Sequence, residues 1–355
     1  MTGPLAGVRV VELQGLGPGP YAGMLLADLG ADVVQVGRAG TQADPAVFNR
    51  GKRWLALDLK DAGDLARLNE LVDRADVLVE GFRPGVVERL GVGPDECLAR
   101  NPRLVFVRLT GYGQDGPYAH RAGHDLNYLA LAGALEPLGR AGSPPTPPIN
   151  VLADFAGGGM LAVLGAVAAL YERAASGRGQ VVDAAMVDGA AMLLSPFYNG
   201  RARGSWGPRG TNSLDTGSHF YDVYETADGQ WLSIAAIEPQ FYAALRAVLG
   251  LPPDDAQLDA DAWPAKKKEI ADVVRTRSRD EWVAAFADVD ACVEPVLTPE
   301  EAPSHPHHVA RGLFVDVADR VQPVSAPRFG RTSTTTPPPV APASVDEVLD
   351  AWSAR

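Results

Sequence analysis

Three residues in this chain could move a proton, and each stands in a suggestive setting. His124 is one of six histidines in 355 residues, and it lies in RAGHDLNYLALAGAL, at the mouth of an apolar run. An imidazole titrates near neutrality, so it serves as base or acid wherever a pocket holds it. Asp154 stands in NVLADFAGGGM, where an apolar helical run begins and three glycines follow. A carboxylate there is commonly a helix cap. The glycines open a second reading. They would bare backbone N–H groups at the positive end of a helix, where an enolate or thioester oxygen is stabilised. Glu238 lies in AIEPQFY, where a strand gives way to a helix that Pro239 can start. Taken singly, these three are a core histidine, a cap and a solvated acid.

The basic residues add a direction. Arg38, Lys60 and Arg83 fall at or near the ends of expected strands, Arg89 lies in the helix after one, and NRGKRW holds Arg50, Lys52 and Arg53. Open α/β sheets bind ligands at the carboxyl ends of their strands. The formal net charge is −12, which disfavours nucleic acid and anionic membranes as partners. Arginines gathered at one edge of so acidic a protein point to a phosphate-bearing small ligand. The loop Gly15-Leu16-Gly17-Pro18-Gly19-Pro20 lacks the third glycine of a dinucleotide fingerprint, which argues against a nicotinamide cofactor. Pro20 is expected to start the helix that follows it. SHPHH, residues 304–308, has no acidic or cysteine partner at ligand spacing, so no metal is expected. Cys97 and Cys292 show no CxxC spacing and read as buried thiols.

Positioning such residues takes a sheet. Apolar runs at 8–13, 31–36, 54–59, DVLVEGF and LVFVRLT alternate with helical segments, which implies parallel βαβ units in an α/β fold. The apolar stretch 156–171 is shorter than the ~20 residues of a bilayer span and reads as a buried helix. After a Gly- and Arg-rich stretch, FYDVYETADGQWLSIAAI alternates on both sides of Asp228-Gly229 and reads as a hairpin, followed by helices and a further strand. The expected domains are 1–200, with 330–355 returning to it, and 220–310, joined by linkers at 201–219 and 311–329. The N-terminus carries no signal-peptide pattern, so a cytoplasmic protein is expected.

GPLAGVRVVEL, LLADLGADVV, NRGKR…LDLK, EGFRPGVVERLG, GYGQDGP…AGHDLNY, ADFAGGG and YETADGQ…AIEPQFY occur in order from about residue 3 to 332. Together they resemble the family III CoA-transferases, and within them the α-methylacyl-CoA racemases most closely. The resemblance implies an interlocked homodimer, each subunit with a Rossmann-like large domain on a parallel sheet and a smaller α+β domain. It implies an acyl-CoA substrate and no separate cofactor. His124 and Asp154 match the two proton-transfer residues, and Glu238 matches the acid paired with the histidine across the subunit interface. Arg38, Lys60, Arg83 and Arg89 match positions that hold the CoA nucleotide. Its contact segments match Leu57, Asp58, Leu59 and Lys60; Gly81, Phe82 and Arg83; and Gly123 with Asp125, Leu126, Asn127 and Tyr128.

The expected reaction is epimerisation of a 2-methylacyl-CoA by two-base 1,1-proton transfer through an enolate. The alternative is a CoA-transferase of the same family with Asp154 as nucleophile. The chain departs from the racemase pattern at NSLDTGSHFY, with Thr216, Ser218 and His219, a segment that would bear on substrate preference if it shapes the acyl pocket. Only five methionines are present, so Leu and Ala would replace part of a methionine-rich acyl surface.

Overall fold

β-Branched residues crowd VVEL, DVVQV, DVLVE and VFVRL, and each run becomes a buried strand. The structure, a computed structural model, describes residues 2–354. It runs β1 (Arg9–Leu13), α1 (Pro18–Asp28), β2 (Asp32–Arg38), β3 (Lys52–Leu57), α2 (Ala62–Val72), β4 (Val77–Glu80), α3 (Val86–Arg89), α4 (Pro94–Arg100) and β5 (Val105–Thr110). Then come α5 (Asp125–Leu131), a π-helix at Val151–Met160, α6 (Leu161–Ser176), β6 (Val181–Ala185) and α7 (Met186–Leu193). Next are α8 (Ser195–Ala202), β7 (Tyr221–Glu225), β8 (Trp231–Ala235), α9 (Pro239–Val248), α10 (Trp263–Val274), α11 (Arg279–Phe286) and β9 (Val293–Pro295). The chain ends with α12 (Pro306–Arg311), β10 (Phe314–Asp316), β11 (Val321–Pro323), β12 (Ala341–Pro342) and α13 (Val345–Ser353).

These elements divide into two compact units. The first holds the residues up to Ala132, Ile149–Leu194 and those from Pro306 onward; the second holds Gly133–Pro148 and Ser195–His305. In the first, seven parallel strands stand in the order β12-β3-β2-β1-β4-β5-β6. Its core gathers Val11, Val34, Leu55, Leu78 and Phe106 from the sheet with Leu68 and Leu71 from α2. Trp352 of α13 is 1% exposed in the same core, and its indole N–H donates to Asp32 at 3.1 Å. Ser344 and Glu347 form the capping box that starts α13.

In the second unit β7, β8 and β9 form an antiparallel sheet in that order, with the β7–β8 turn at Asp228-Gly229. Tyr224, Leu232, Tyr242 and Trp282 pack its core.

The unit boundaries differ from those expected, and ion pairs and hydrogen bonds explain why. Residues 133–148, expected in the large domain, join the second unit because Arg140 grips Asp222 through both guanidinium nitrogens, at 2.7 and 2.9 Å. The stretch 201–219, expected as a linker, is tied down by Asp215, which accepts from the N–H groups of Gly210 and Asn212 at 2.8 and 2.7 Å. Residues 311–329 hold β10 and β11, and Arg50 fastens them to the first unit by donating to Gln322 and Pro323, both at 2.8 Å.

Two further expectations are corrected. The apolar helix is not short: the π-helix and α6 run on as 26 residues, 39% buried over their most apolar window, long and apolar enough to cross a membrane by length and composition. Met160, Leu164 and Tyr171 stand exposed along it. The Ser218-His219 departure lies in the packed interior of the second unit, where both residues are fully buried and His219 Nε2 meets the Tyr242 hydroxyl at 2.8 Å. Burial, helped by Lys266, pulls the His219 imidazole down to about 4.

Two outcomes follow from this packing. Trp352→Ala should lower unfolding stability by about 3–5 kcal/mol, measured by chemical denaturation. His219 resists protonation when folded, whereas the unfolded chain takes up its proton near the ordinary value of 6.5. Stability from the neutral imidazole is therefore whole above that pH and drains away as the pH falls towards about 4. The stability advantage of the wild type over His219→Gln should shrink across that window, and a constant difference would refute the assignment.

Candidate active site

β1, β4 and β5 end at one edge of the parallel sheet, and a cleft of about 820 Å³ opens there. The loop from Leu13 to Gly19 forms one wall, Glu80 to Arg83 another, and Gly123, His124, Tyr128, Asn150, Asp154 and Met186 close it. A second cleft of about 510 Å³ adjoins it, lined by Arg38 and Leu57 to Lys60; Leu13, Gln14 and Phe82 belong to both. A long ligand could thus lie across the two, a geometry usual for ligands of open α/β sheets.

Asp154 is carried by the first turn of the π-helix. Such wide helical turns are rare and frequently mark functional sites. The following glycines explain how this one packs. A Cβ on Gly157 would come within 2.8 Å of the Ala190 nitrogen on α7, and one on Gly159 within 2.6 Å of the Tyr21 ring on α1. Gly157, Gly158 and Gly159 are all buried. They serve close helix crossing, which corrects the expectation that they present bare N–H groups to a ligand. The first-turn donors are also engaged: Ala153 and Asp154 both donate their N–H to Asp125 Oδ2, at 2.7 and 2.8 Å.

The Asp154 carboxylate accepts one weak side-chain bond, from Asn150 Nδ2 at 3.3 Å. Burial pushes its carboxyl upward; the Asn150 bond counters this, neighbouring Asp125 adds to the rise, and His124 pulls it back. A carboxyl raised in this way is better matched to exchanging a proton near neutral pH. The loop beside it needs glycine: Gly17 has φ 59°, and a Cβ there would stand 3.7 Å from Asp154 Oδ2. Pro18 is the first residue of α1, two positions before the expected Pro20.

Buried charge pairs hold the walls. Lys52 and Glu12, whose side chains have no exposure, meet at 2.7 Å beneath α1, and Lys52 Nζ also donates to the Pro20 carbonyl at 2.9 Å. Glu80 accepts from Arg108 Nε at 3.0 Å and from the Phe82 N–H at 2.8 Å, which fixes the bend before Arg83. Removing one partner of such a pair strands a buried charge, at a cost of about 3–5 kcal/mol.

His124 and Asp154 therefore share one cleft. Glu238 stands exposed at the N-cap of α9, in the second unit, and its side chain does not cap that helix. Of the expected nucleotide contacts, Arg38, Leu57, Asp58, Leu59 and Lys60 line the smaller cleft; Gly81, Arg83, Gly123 and Tyr128 line the larger, and Phe82 lines both. Arg89 is exposed on α3, outside both linings. Leu126 and Asn127 are exposed on α5, and Asn127 accepts from the His124 N–H at 3.1 Å. The Asp125 carboxylate is turned inward and lies outside both cleft linings.

The NRGKRW cluster is likewise internal: Arg50 pairs with Asp28, Lys52 with Glu12 and Arg53 with Asp32. Sequence reasoning missed Glu80, Asn150 and the wall from Gln14 to Gly19. The Gly-Pro-Gly-Pro pattern is the sequence signal of that wall. Cys97 is buried and its thiol is pushed up to about 12 by burial, while Cys292 is half-buried. Among the described residues, no three His, Cys, Asp or Glu gather as a metal site.

Comparison with known proteins agrees with this architecture. The family CoA-transferase family III matches residues 5–344. The alpha-methylacyl-CoA racemase of Mus musculus is 49% identical over 332 residues, 92% of this chain and 87% of that protein. That of Homo sapiens is 48% identical, over 91% of this chain and 86% of that protein. A CAIB/BAIF family protein from Brucella suis superposes with a TM-score of 0.84 at 26% identity, covering 100% of this chain and 99% of that one. Sheet, clefts and sequence agree, and the chain belongs to CoA-transferase family III.

Proposed function

We propose that the protein is an isomerase that interconverts the two hands of 2-methylacyl-CoA thioesters by two-base proton transfer. One observation carries this: an imidazole, His124, and a carboxyl raised by burial, Asp154, stand on the walls of one cleft. Its high identity to two alpha-methylacyl-CoA racemases supports the same activity. The smaller cleft takes the CoA nucleotide, with Arg38 and Lys60 meeting its phosphates and Arg83 at the junction. Among the described residues neither Arg38 nor Lys60 is spent on an ion pair.

The chemistry runs through the α carbon. One base removes its proton, and the thioester delocalises the resulting negative charge as an enolate. The other base returns a proton to the opposite face. Starting from the other hand, the two exchange roles. No metal or redox group is required, because no electrons change hands and the thioester itself acidifies the C–H. Met186 lines the acyl cleft with Leu13, Leu16 and Leu109, an apolar surface on which the chain can shift as its α carbon inverts.

We place Glu238 of a second copy beside His124, where it fixes the tautomer and steadies the imidazolium. This requires a homodimer. The exposed stripe of Met160, Leu164 and Tyr171 supports one, since a second copy would cover it.

Incubation with a single epimer of a 2-methylacyl-CoA in deuterium oxide tests the activity. Deuterium should enter the α position and both epimers should form with no acceptor acid present. Silence until a second carboxylic acid is supplied would instead identify a CoA-transferase acting through an Asp154 anhydride.

A further inference from the structure

We propose that Asp125 is a positioning residue for the proton-transfer pair, its buried carboxylate fixing where Asp154 stands relative to His124. This rests on reading Asp154 as one of the two bases. Asp125 is the first residue of α5 and follows His124 directly in the chain. The two side chains separate there. His124 is exposed and lines the cleft, whereas Asp125 is 4% exposed and turned into the protein.

Oδ2 of Asp125 accepts the N–H groups of Ala153 and Asp154, at 2.7 and 2.8 Å. Its Oδ1 is also buried and has no hydrogen-bond partner among the described residues. No ion pair of Asp125 is found among the described residues. The anion is held by two backbone donors at the positive start of the π-helix. A buried carboxylate satisfied so sparingly is costly. If the chain needed only a cap, a serine or threonine hydroxyl would accept the same hydrogen bonds without a buried charge.

Two consequences follow from this connection. The path from His124 to Asp154 is one peptide bond, one short side chain and two hydrogen bonds, although the residues lie thirty positions apart. Displacement of either segment is passed to the other. The second consequence is electrostatic. The negative Asp125 adds to the upward shift of the Asp154 carboxyl, so it helps set the pH range in which Asp154 exchanges a proton.

The test compares Asp125→Asn and Asp125→Ala with the wild type and with Asp154→Asn. It measures kcat and KM for epimerisation, and the pH–rate profile for the hand of substrate whose proton Asp154 removes. Circular dichroism and CoA binding verify folding. Asp125→Ala should lose on the order of 100-fold in kcat with KM little changed, the effect of misplacing a catalytic group by about 1 Å. Asp125→Asn keeps an acceptor oxygen, so it should recover much of that kcat, with the acid limb of its profile moved to lower pH.

If Asp125→Ala fails to fold, the Asn profile decides alone: an unmoved acid limb overturns the proposal. Wild-type kcat and profile in both Asp125 variants, with Asp154→Asn inactive, would also overturn this proposal while leaving the two-base reading intact. Full turnover in Asp154→Asn would sink the two-base reading and this proposal with it.

Discussion

Two N–H groups bonded to one buried carboxylate oxygen join the segments that carry His124 and Asp154. Proton transfer to opposite faces of a single carbon tolerates little error in placement. Both groups sit where helices begin, at the N-cap of α5 and in the first turn of the π-helix. Helix starts leave N–H groups unsatisfied, and here that need is met by a tie between the two segments proposed to carry the bases. The same geometry explains why the glycine run after Asp154 is buried. The wide turn packs closely against α1 and α7, and Gly157 to Gly159 allow that approach.

The parallel sheet supplies the frame. β1 and β4 are buried along almost their whole length, so a charge set inside them calls for a partner. The chain places Glu12 with Lys52 behind the cleft and Glu80, itself in the wall, with Arg108. Such pairs add little net stability over apolar residues of similar volume. Their position suggests a different contribution. Lys52 restrains the start of α1 through Pro20, and Glu80 restrains the bend at Phe82 that both clefts share. In the proposed reaction, rigid walls would hold the thioester while its α carbon alone changes hand.

The sheet was legible in the sequence because buried parallel strands are continuous apolar runs. The hairpin was legible because Asp228-Gly229 forces a tight turn. His124 and Asp154 gained their meaning from the collinear motifs around them, since each alone has an ordinary structural explanation. What escaped the sequence depends on contacts distant along the chain. A formal charge does not tell which way its side chain turns: Arg50, Lys52 and Arg53 counted among the basic residues at the ligand edge, yet Asp28, Glu12 and Asp32 claim them. The inward turn of the Asp125 carboxylate was hidden for the same reason. The domain boundaries slipped because Arg140 and Asp222, which hold 133–148 to the second unit, are 82 positions apart. The π-helix has no local signature separate from its tertiary packing.

The central claim is that His124 and Asp154 serve opposite faces of one α carbon. Hand-specific isotope exchange tests it most directly, with each pure epimer incubated in deuterium oxide with His124→Ala and, separately, with Asp154→Asn. Each variant should abolish epimerisation yet still wash deuterium into one hand of substrate, and the surviving hand should be opposite in the two. Retention of exchange for the same hand in both variants, or of epimerisation in either, would contradict the account.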